Sequence, residues 1–370
     1  MIYFDNAATS FPKPRSVIKE VNKCITSYCG NPGRSSHFLA LKASEKIYET
    51  REQISSLLNT DKPERVVFTQ NATHGLNIAI KGLITERSHV IISDIEHNSV
   101  IRPLNKVMGR LGGEISVFNS DIDIREAVIP LIRSDTKAII STLSSNVTGK
   151  CIDFITLSRI AHEYGLKLII DASQYIGHSR IDLKTAPCDC LIAPGHKALF
   201  GLQGSGFIVF GEGDSINTLI EGGSGSDTLS TDMPLLLPER HEAGTLATPS
   251  IVGLSMGVRF IEELGINYIS THLKKLTEYT YIILNEFKDI KVYGAENGII
   301  SFNYKDIPSS AFAEKLNEYG FAVRGGLHCA PEVHRKLGTA KRGAVRISLS
   351  CLNNSKQLDK LYKSLKEITK

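Results

Sequence analysis

The feature that most constrains this chain is an alternation between residues 65 and 210. Short, nearly continuous apolar runs take turns with helix-length amphipathic stretches. The runs are Arg65–Thr69, His89–Ser93, Lys137–Leu143, Leu166–Ile170, Asp189–Ala193 and Phe207–Phe210, with Thr73–Leu83 and Phe154–Tyr164 reading as helices among them. Strands that are apolar at nearly every position are buried on both faces, and strands alternating with helices need crossover connections. The pattern predicts an α/β fold with a mostly parallel central sheet flanked by helices.

The pattern changes after residue 250. Ser250–Glu263 places Ile251, Leu254, Val258 and Ile261 on one helix face. Short strands such as Gly298–Phe302 and a last helix from Ser355 follow. The reading is a large α/β domain over residues 1–255 and a smaller α+β domain over residues 256–370, with roughly the first 12 residues packing against the smaller one.

Composition excludes several classes. Hydrophobic residues make up 42% and the net charge is 43 − 39 = +4, which fits neither a disordered chain nor a basic nucleic-acid binder. Apolar runs are strand-sized, and Met1–Asp5 has no basic region leading into an apolar stretch, so neither a membrane span nor a secretory signal is expected. The expectation is a cytoplasmic protein with neither nucleic acid nor membrane as partner. Seven cysteines, an odd number, argue against a complete disulfide framework. The close pair Cys188-Asp189-Cys190 lacks the spacing of a zinc site, so no metal is expected and these read as buried thiols.

Open parallel sheets bind ligands at the carboxyl ends of their strands. Thr69–Thr73, His97, Asn146, Asp171-Ala-Ser-Gln174 and Gly195-His-Lys197 all follow predicted strands. Asp171 is either a helix cap or an anionic partner for a cationic ring nitrogen. Lys197, 26 residues later, is either a surface lysine or a desolvated amine able to form a Schiff base. Together they suit pyridoxal phosphate. Asn71-Ala-Thr-His-Gly75 opens a helix, where free N–H groups suit a phosphate as well as a simple cap.

With these residues in place, the chain resembles the class V aminotransferase fold enzymes (fold type I), in the cysteine desulfurase and selenocysteine lyase branch. The matching pieces are Tyr3-Phe-Asp-Asn-Ala-Ala-Thr9, Thr73-His-Gly-Leu-Asn77, Glu96-His-Asn98, Ser145-Asn-Val-Thr-Gly149, Asp171-Ala-Ser-Gln174 and Gly195-His-Lys197. Further on come Glu242-Ala-Gly-Thr245, Val323-Arg-Gly-Gly-Leu-His-Cys-Ala330 and Val345-Arg-Ile-Ser348. They run in family order from residue 3 to residue 348.

The resemblance implies that Lys197 carries pyridoxal 5'-phosphate and that Asp171 pairs with its pyridine nitrogen. Gln174 would bond the ring's phenolate oxygen, and His97 would stack on the ring and assist proton transfer. Thr73 and His196 would hold the phosphate, with His74 beside Thr73. Thr245 would reach across from a second subunit, which implies a homodimer. Asn146 and Arg346, with Arg324 nearby, would bind the substrate carboxylate.

Cys329 would be the sulfur acceptor. It would take sulfur or selenium from L-cysteine or L-selenocysteine, releasing L-alanine and leaving a persulfide. His328 and Arg324 are candidate cationic neighbours favouring its thiolate. The short segment from Arg324 to Cys329 resembles that of group II desulfurases, which implies a slow enzyme served by a sulfur-acceptor protein. Pro194, Leu327 and His74 differ from the serine, histidine and glutamate common in relatives. The basic residues His334-Arg-Lys336 and Lys341-Arg342 read as a solvated loop, with a dock for an acidic acceptor as the alternative. Gly222-Gly-Ser-Gly225 reads as a mobile loop over the site or as a tight turn. Two other readings of function remain: another class V reaction (transaminase, epimerase or β-lyase) with Cys329 incidental, or a catalytically silent assembly partner.

Overall fold

The computed structural model describes residues 1–33, 36–213 and 216–370. In chain order the elements begin with β1 (Ile2–Tyr3), α1 (Arg15–Ser27), α2 (Phe38–Leu57), β2 (Val66–Thr69) and α3 (Ala72–Leu83). Next come β3 (His89–Ser93), α4 (Asn98–Leu111), β4 (Glu114–Phe118), α5 (Ile124–Val128), β5 (Thr136–Thr142), α6 (Phe154–Glu163) and β6 (Lys167–Asp171). Then follow β7 (Cys190–Pro194), β8 (Gly206–Phe210), α7 (Thr248–Leu264), α8 (Ile266–Asn285), β9 (Ile290–Glu296) and β10 (Ile299–Tyr304). The last are α9 (Ser309–Glu318), β11 (Phe321–Ala322), β12 (Arg324–Gly326), α10 (Pro331–Lys336), β13 (Ala344–Ser348) and α11 (Ser355–Ile368).

The main sheet has seven strands in the order β2-β8-β7-β6-β5-β3-β4. β8 runs antiparallel to both neighbours, and the other pairings are parallel. Successive strand residues face opposite sides. Val67, Val90, Ile92, Ile140, Ile169 and Ile192 pack with α3 and α4. Phe68, Ile91, Ile139, Ile170 and Leu191 join the core under α2, α6 and α7. Both faces are covered, which is why these strands read as unbroken apolar runs. The sequence pattern passes over β4, whose residues Glu114-Ile-Ser-Val-Phe118 lie on the sheet edge with Glu114 and Val117 exposed.

α3 lies close on the sheet because Gly75 faces Ile192. A Cβ at residue 75 would sit 2.8 Å from Ile192 Cγ2. A second sheet, β12-β13-β10-β9, is antiparallel. β1 pairs in parallel with β11, so the first residues pack against the C-terminal third of the chain. The expected division at residue 255 falls inside the continuous helix α7. Among the described residues, no helix is long and apolar enough to cross a membrane.

Candidate active site

The carboxyl ends of β2, β3, β5, β6 and β7 share one sheet edge. There a cavity of about 100 Å³ is lined by Thr73, His97, Asn146, Asp171, Gln174, His196 and Lys197, with Ser99 among the other lining residues. Two larger clefts, of about 630 and 670 Å³, include residues at the opposite strand ends, such as Lys167 and Asp189. The chemistry-bearing residues therefore meet in the smallest of the three.

Asp171 ends β6 and is buried, with Oδ1 accepting the Ser173 N–H at 2.9 Å. Lys197 follows β7. Desolvation pushes its amine down to about 8, the Asp171 carboxylate pulls it back up, and the Arg346 charge pushes it down again. A lysine poised near neutrality, beside a buried carboxylate, is suited to reversible proton or carbonyl chemistry.

His97 caps the start of α4. Its Nδ1 accepts the Ser99 backbone N–H at 3.0 Å and lies 2.7 Å from the Ser99 hydroxyl. A backbone N–H can only donate, so Nδ1 carries a lone pair. Burial, and then the Lys197 charge, push the ring down to about 4, so at neutral pH its one proton is on Nε2. The Ser99 hydroxyl lies 2.9 Å from that of Thr73. Thr73 stands in the first turn of α3, where helix N–H groups favour an anion. Ser99 was not among the sequence candidates. Its signal is its place two residues after a histidine at a helix start.

His196 contributes a ring whose Nδ1 is buried without a partner. Its backbone carbonyl accepts from the Ser10 N–H at 3.0 Å, the Thr9 and Ser10 hydroxyls at 3.1 Å and the Lys13 ammonium at 3.0 Å. Gln174 donates to the Ala7 carbonyl at 2.9 Å. The N-terminal segment thus straps two cavity residues in place.

The second sheet brings the arginines. Arg324 and Arg346 are directly paired across β12 and β13 and therefore share a face. Arg346 donates to the Asn146 carbonyl at 2.9 Å and to Asp5 at 2.8 Å, while its Nε is buried without a partner. Asn146 donates from its side-chain amide to the His328 carbonyl at 2.6 Å, and its Oδ1 is buried and unpartnered.

Cys329 is exposed and sits in a turn between β12 and α10. Its carbonyl accepts the Asn98 N–H at 2.8 Å. His328 and Cys329 both take left-handed backbone angles, φ +48° and +56°, which residues with side chains adopt rarely. Asn146 lines the cavity and holds the neighbouring His328 carbonyl, so the turn lies beside the cavity. The expectation that His328 supplies positive charge is corrected. Its Nε2 lies 2.9 Å from the Ala344 carbonyl, its ring packs on His334, and burial pushes it far below its ordinary value. Arg324 carries a charge that His328 lacks.

Five candidates do not line the cavity: Arg324, Arg346 and Cys329, which belong to the second sheet and the turn after it, and His74 and Thr245. The His74 ring accepts from the Gln70 N–H and lines a separate small cavity with His241. Thr245 is exposed, three residues past Glu242. Glu242 accepts the Phe68 N–H at 2.6 Å and pairs with Arg51 at 2.6 Å. Three of the basic residues after Cys329 are ion-paired. Lys336 bridges Asp94 and Asp121 at 2.6 Å each, Arg335 meets Glu332, and Arg342 meets Asp306.

The donor set fits pyridoxal phosphate. An anion-ready helix start, two unpartnered buried polar atoms, a buried carboxylate and a depressed lysine surround one cavity.

The aminotransferase class-V family model matches residues 2–361. A probable cysteine desulfurase of Methanothermobacter thermautotrophicus is 31% identical, across 99% of this chain and 94% of the relative. A cysteine desulfurase of Klebsiella pneumoniae (strain 342) is 29% identical, across 100% and 94%. The apo structure of a cysteine desulfurase from Thermococcus onnurineus NA1 is similar at TM-score 0.92 and 28% identity, covering 100% of this chain and 94% of that one. The matched span runs from β1 into α11 and takes in every cavity residue described above, and the chain belongs to the aminotransferase class-V family.

Proposed function

We propose that this protein is a pyridoxal-phosphate-dependent cysteine desulfurase that converts L-cysteine to L-alanine and keeps the sulfur as a persulfide on Cys329. L-Selenocysteine has the same carboxylate, amine and chain length and is the alternative substrate. The observation that carries the reading is the meeting of Lys197, Asp171 and His97 in one cavity, with the Cys329 turn pinned beside it by the Asn146 amide and the Asn98 N–H.

Bound pyridoxal phosphate would supply an electron sink for the substrate Cα. Thr73, the start of α3 and His196 would hold its phosphate, Asp171 its ring nitrogen and Gln174 its ring oxygen. Arg346, Arg324 and Asn146 would hold the substrate carboxylate. Lys197 is the base for the Cα proton, and His97 presents an N–H from Nε2. The Cys329 thiolate forms an S–S bond to the substrate sulfur as the C–S bond breaks, and the carbon keeps the electron pair and is protonated. L-Cysteine and a thiol become L-alanine and a persulfide.

We assign Thr245 to the neighbouring subunit's site in a homodimer. Leu229, Leu235 and Leu236, exposed at 99%, 78% and 77%, lie in the segment leading to it. The two-domain division at residue 255, a cytoplasmic setting and a sulfur-acceptor protein belong to the same proposal.

The test is alanine release from L-cysteine, with mass analysis of Cys329. The expected result is a 1:1 persulfide on Cys329 and no alanine from Cys329→Ala. Alanine formed equally well by Cys329→Ala would leave the cysteine incidental and favour another class V reaction. A protein that binds pyridoxal phosphate and forms no alanine from either substrate would sink the proposal.

A further inference from the structure

Asp5 is half-buried in the junction between the N-terminal segment and the second sheet, and the assignments above give it no role. Its carboxylate meets Arg346 at 2.8 Å, and the two side chains are 21% and 2% exposed. The Arg346 guanidinium is gripped on two sides, by Asp5 and by the Asn146 carbonyl, and still has a buried N–H without a partner. Arg324 stands opposite on the neighbouring strand, so two cations share one face.

A buried guanidinium with a second cation beside it is costly unless an anion accompanies it. Asp5 supplies that anion from a fixed position. Phe4 donates to the Ala322 carbonyl at 2.9 Å and accepts from the Ser348 N–H at 2.7 Å. Asp5 itself bridges to Ser348. On its other side the Asp5 carbonyl accepts the Ala8 N–H at 3.1 Å, and Ser10 is tied to His196 at 3.0 Å. The strap fixes the main chain of Asp5, and the ion pair with Arg346 holds its carboxylate.

We infer that Asp5 is a positioning residue for the substrate carboxylate: its ion pair turns the Arg346 guanidinium so that the unclaimed N–H edge and Arg324 face the incoming substrate together. The inference rests on the reading of Arg346 as the carboxylate anchor. Asp5 touches no reacting atom and acts through Arg346 alone. Its loss therefore falls on substrate capture and not on the chemical step.

The experiment measures KM and kcat of the holoenzyme for L-cysteine in Asp5→Asn, Asp5→Ala and Arg346→Lys. Asp5→Asn raises KM about tenfold or more and lowers kcat less than about threefold, as loss of one charge-assisted bond implies. In Asp5→Ala, added formate lowers KM by replacing the missing carboxylate, whereas in the wild type it only competes with substrate. An unmoved or lowered KM in Asp5→Asn overturns the inference, as does formate that fails to lower KM in Asp5→Ala. Arg346→Lys separates the two levels. A KM unchanged there removes the carboxylate-anchor reading itself, and the Asp5 inference with it. A raised KM there with an unmoved Asp5→Asn removes the Asp5 inference only.

Discussion

The Asn146 side chain holds the turn that carries Cys329: its amide donates to the His328 carbonyl at 2.6 Å across the junction between the main sheet and the second sheet. The Asn98 N–H holds the next carbonyl, that of Cys329, at 2.8 Å. Two successive carbonyls of a left-handed turn are thus pinned by the large sheet's loops. Asn146→Ala leaves the His328 carbonyl without its partner and costs about 1–3 kcal/mol. The turn then loosens. We expect Cys329 to alkylate faster with iodoacetamide in the cofactor-free protein and to form persulfide at least tenfold more slowly in the holoenzyme. Alkylation at the wild-type rate would show that the turn is held without Asn146.

His97 carries the second prediction. Its Nδ1 accepts a backbone N–H, so the neutral ring holds its proton at Nε2. Ring ¹⁵N spectra of histidine-labelled protein, with His97 assigned from a His97→Gln sample, check this. Near pH 7 the Nδ1 resonance is expected in the unprotonated range and Nε2 in the protonated range. Protonation begins only as pH falls toward about 4. A ring titrating near its ordinary value would contradict the burial and the Lys197 charge assigned to it.

Glu96 gives a pH prediction. It is fully buried; Oε1 accepts the Ser93 hydroxyl and, at 2.8 Å, the Thr142 N–H, while Oε2 has no partner. Burial raises it to about 8, against an ordinary value of 4.5, and the nearby Asp171 charge adds to the rise. A carboxyl with a raised folded value binds its proton in the folded state while the unfolded chain has already lost it. Stability from this group is therefore lost as pH climbs from 4.5 toward 8, at a slope of up to about 1.4 kcal/mol per pH unit. Glu96→Gln removes that slope. Urea midpoints at pH 5 and pH 8 test it: the wild type loses more between them than the variant does.

Much of this site was legible in the sequence because its signals are local. Asp171, Lys197, His97 and Thr73 each follow a strand that reads as an apolar run, and one sheet edge gathers them. The arginines are legible only through the ordered motifs, since nothing in residues 324 and 346 announces that β12 and β13 pair them. Asp5, Glu96 and Ser99 escaped because each has a partner distant in sequence: Arg346, Thr142 and Thr73 respectively. Asp5 meets Arg346 across 341 residues, and no periodicity encodes that contact. His328 misled for the opposite reason. Adjacency to Cys329 suggested a helpful cation, whereas the fold turns the ring away, toward Ala344 and His334, and strips it of charge.

The last prediction concerns the pair Arg51–Glu242, side chains 7% and 6% exposed and 2.6 Å apart. Arg51 also donates to the Val66 carbonyl and lies over the Phe68 ring at 4.6 Å, so α2, β2 and the segment leading to Thr245 meet here. Removing one partner strands a buried charge. Arg51→Ala is expected to cost about 3–5 kcal/mol. Arg51→Met combined with Glu242→Leu removes both charges and is expected to recover most of that loss, though the Phe68 N–H then lacks its acceptor. The two losses therefore differ in their functional trace. If Glu242 anchors the segment that carries Thr245, the double variant regains stability and still binds pyridoxal phosphate more weakly than the wild type. Denaturant midpoints read the first quantity, and cofactor titration monitored by absorbance reads the second. Affinity restored in step with stability would mean that the ion pair serves folding alone and that Thr245 takes its place without it.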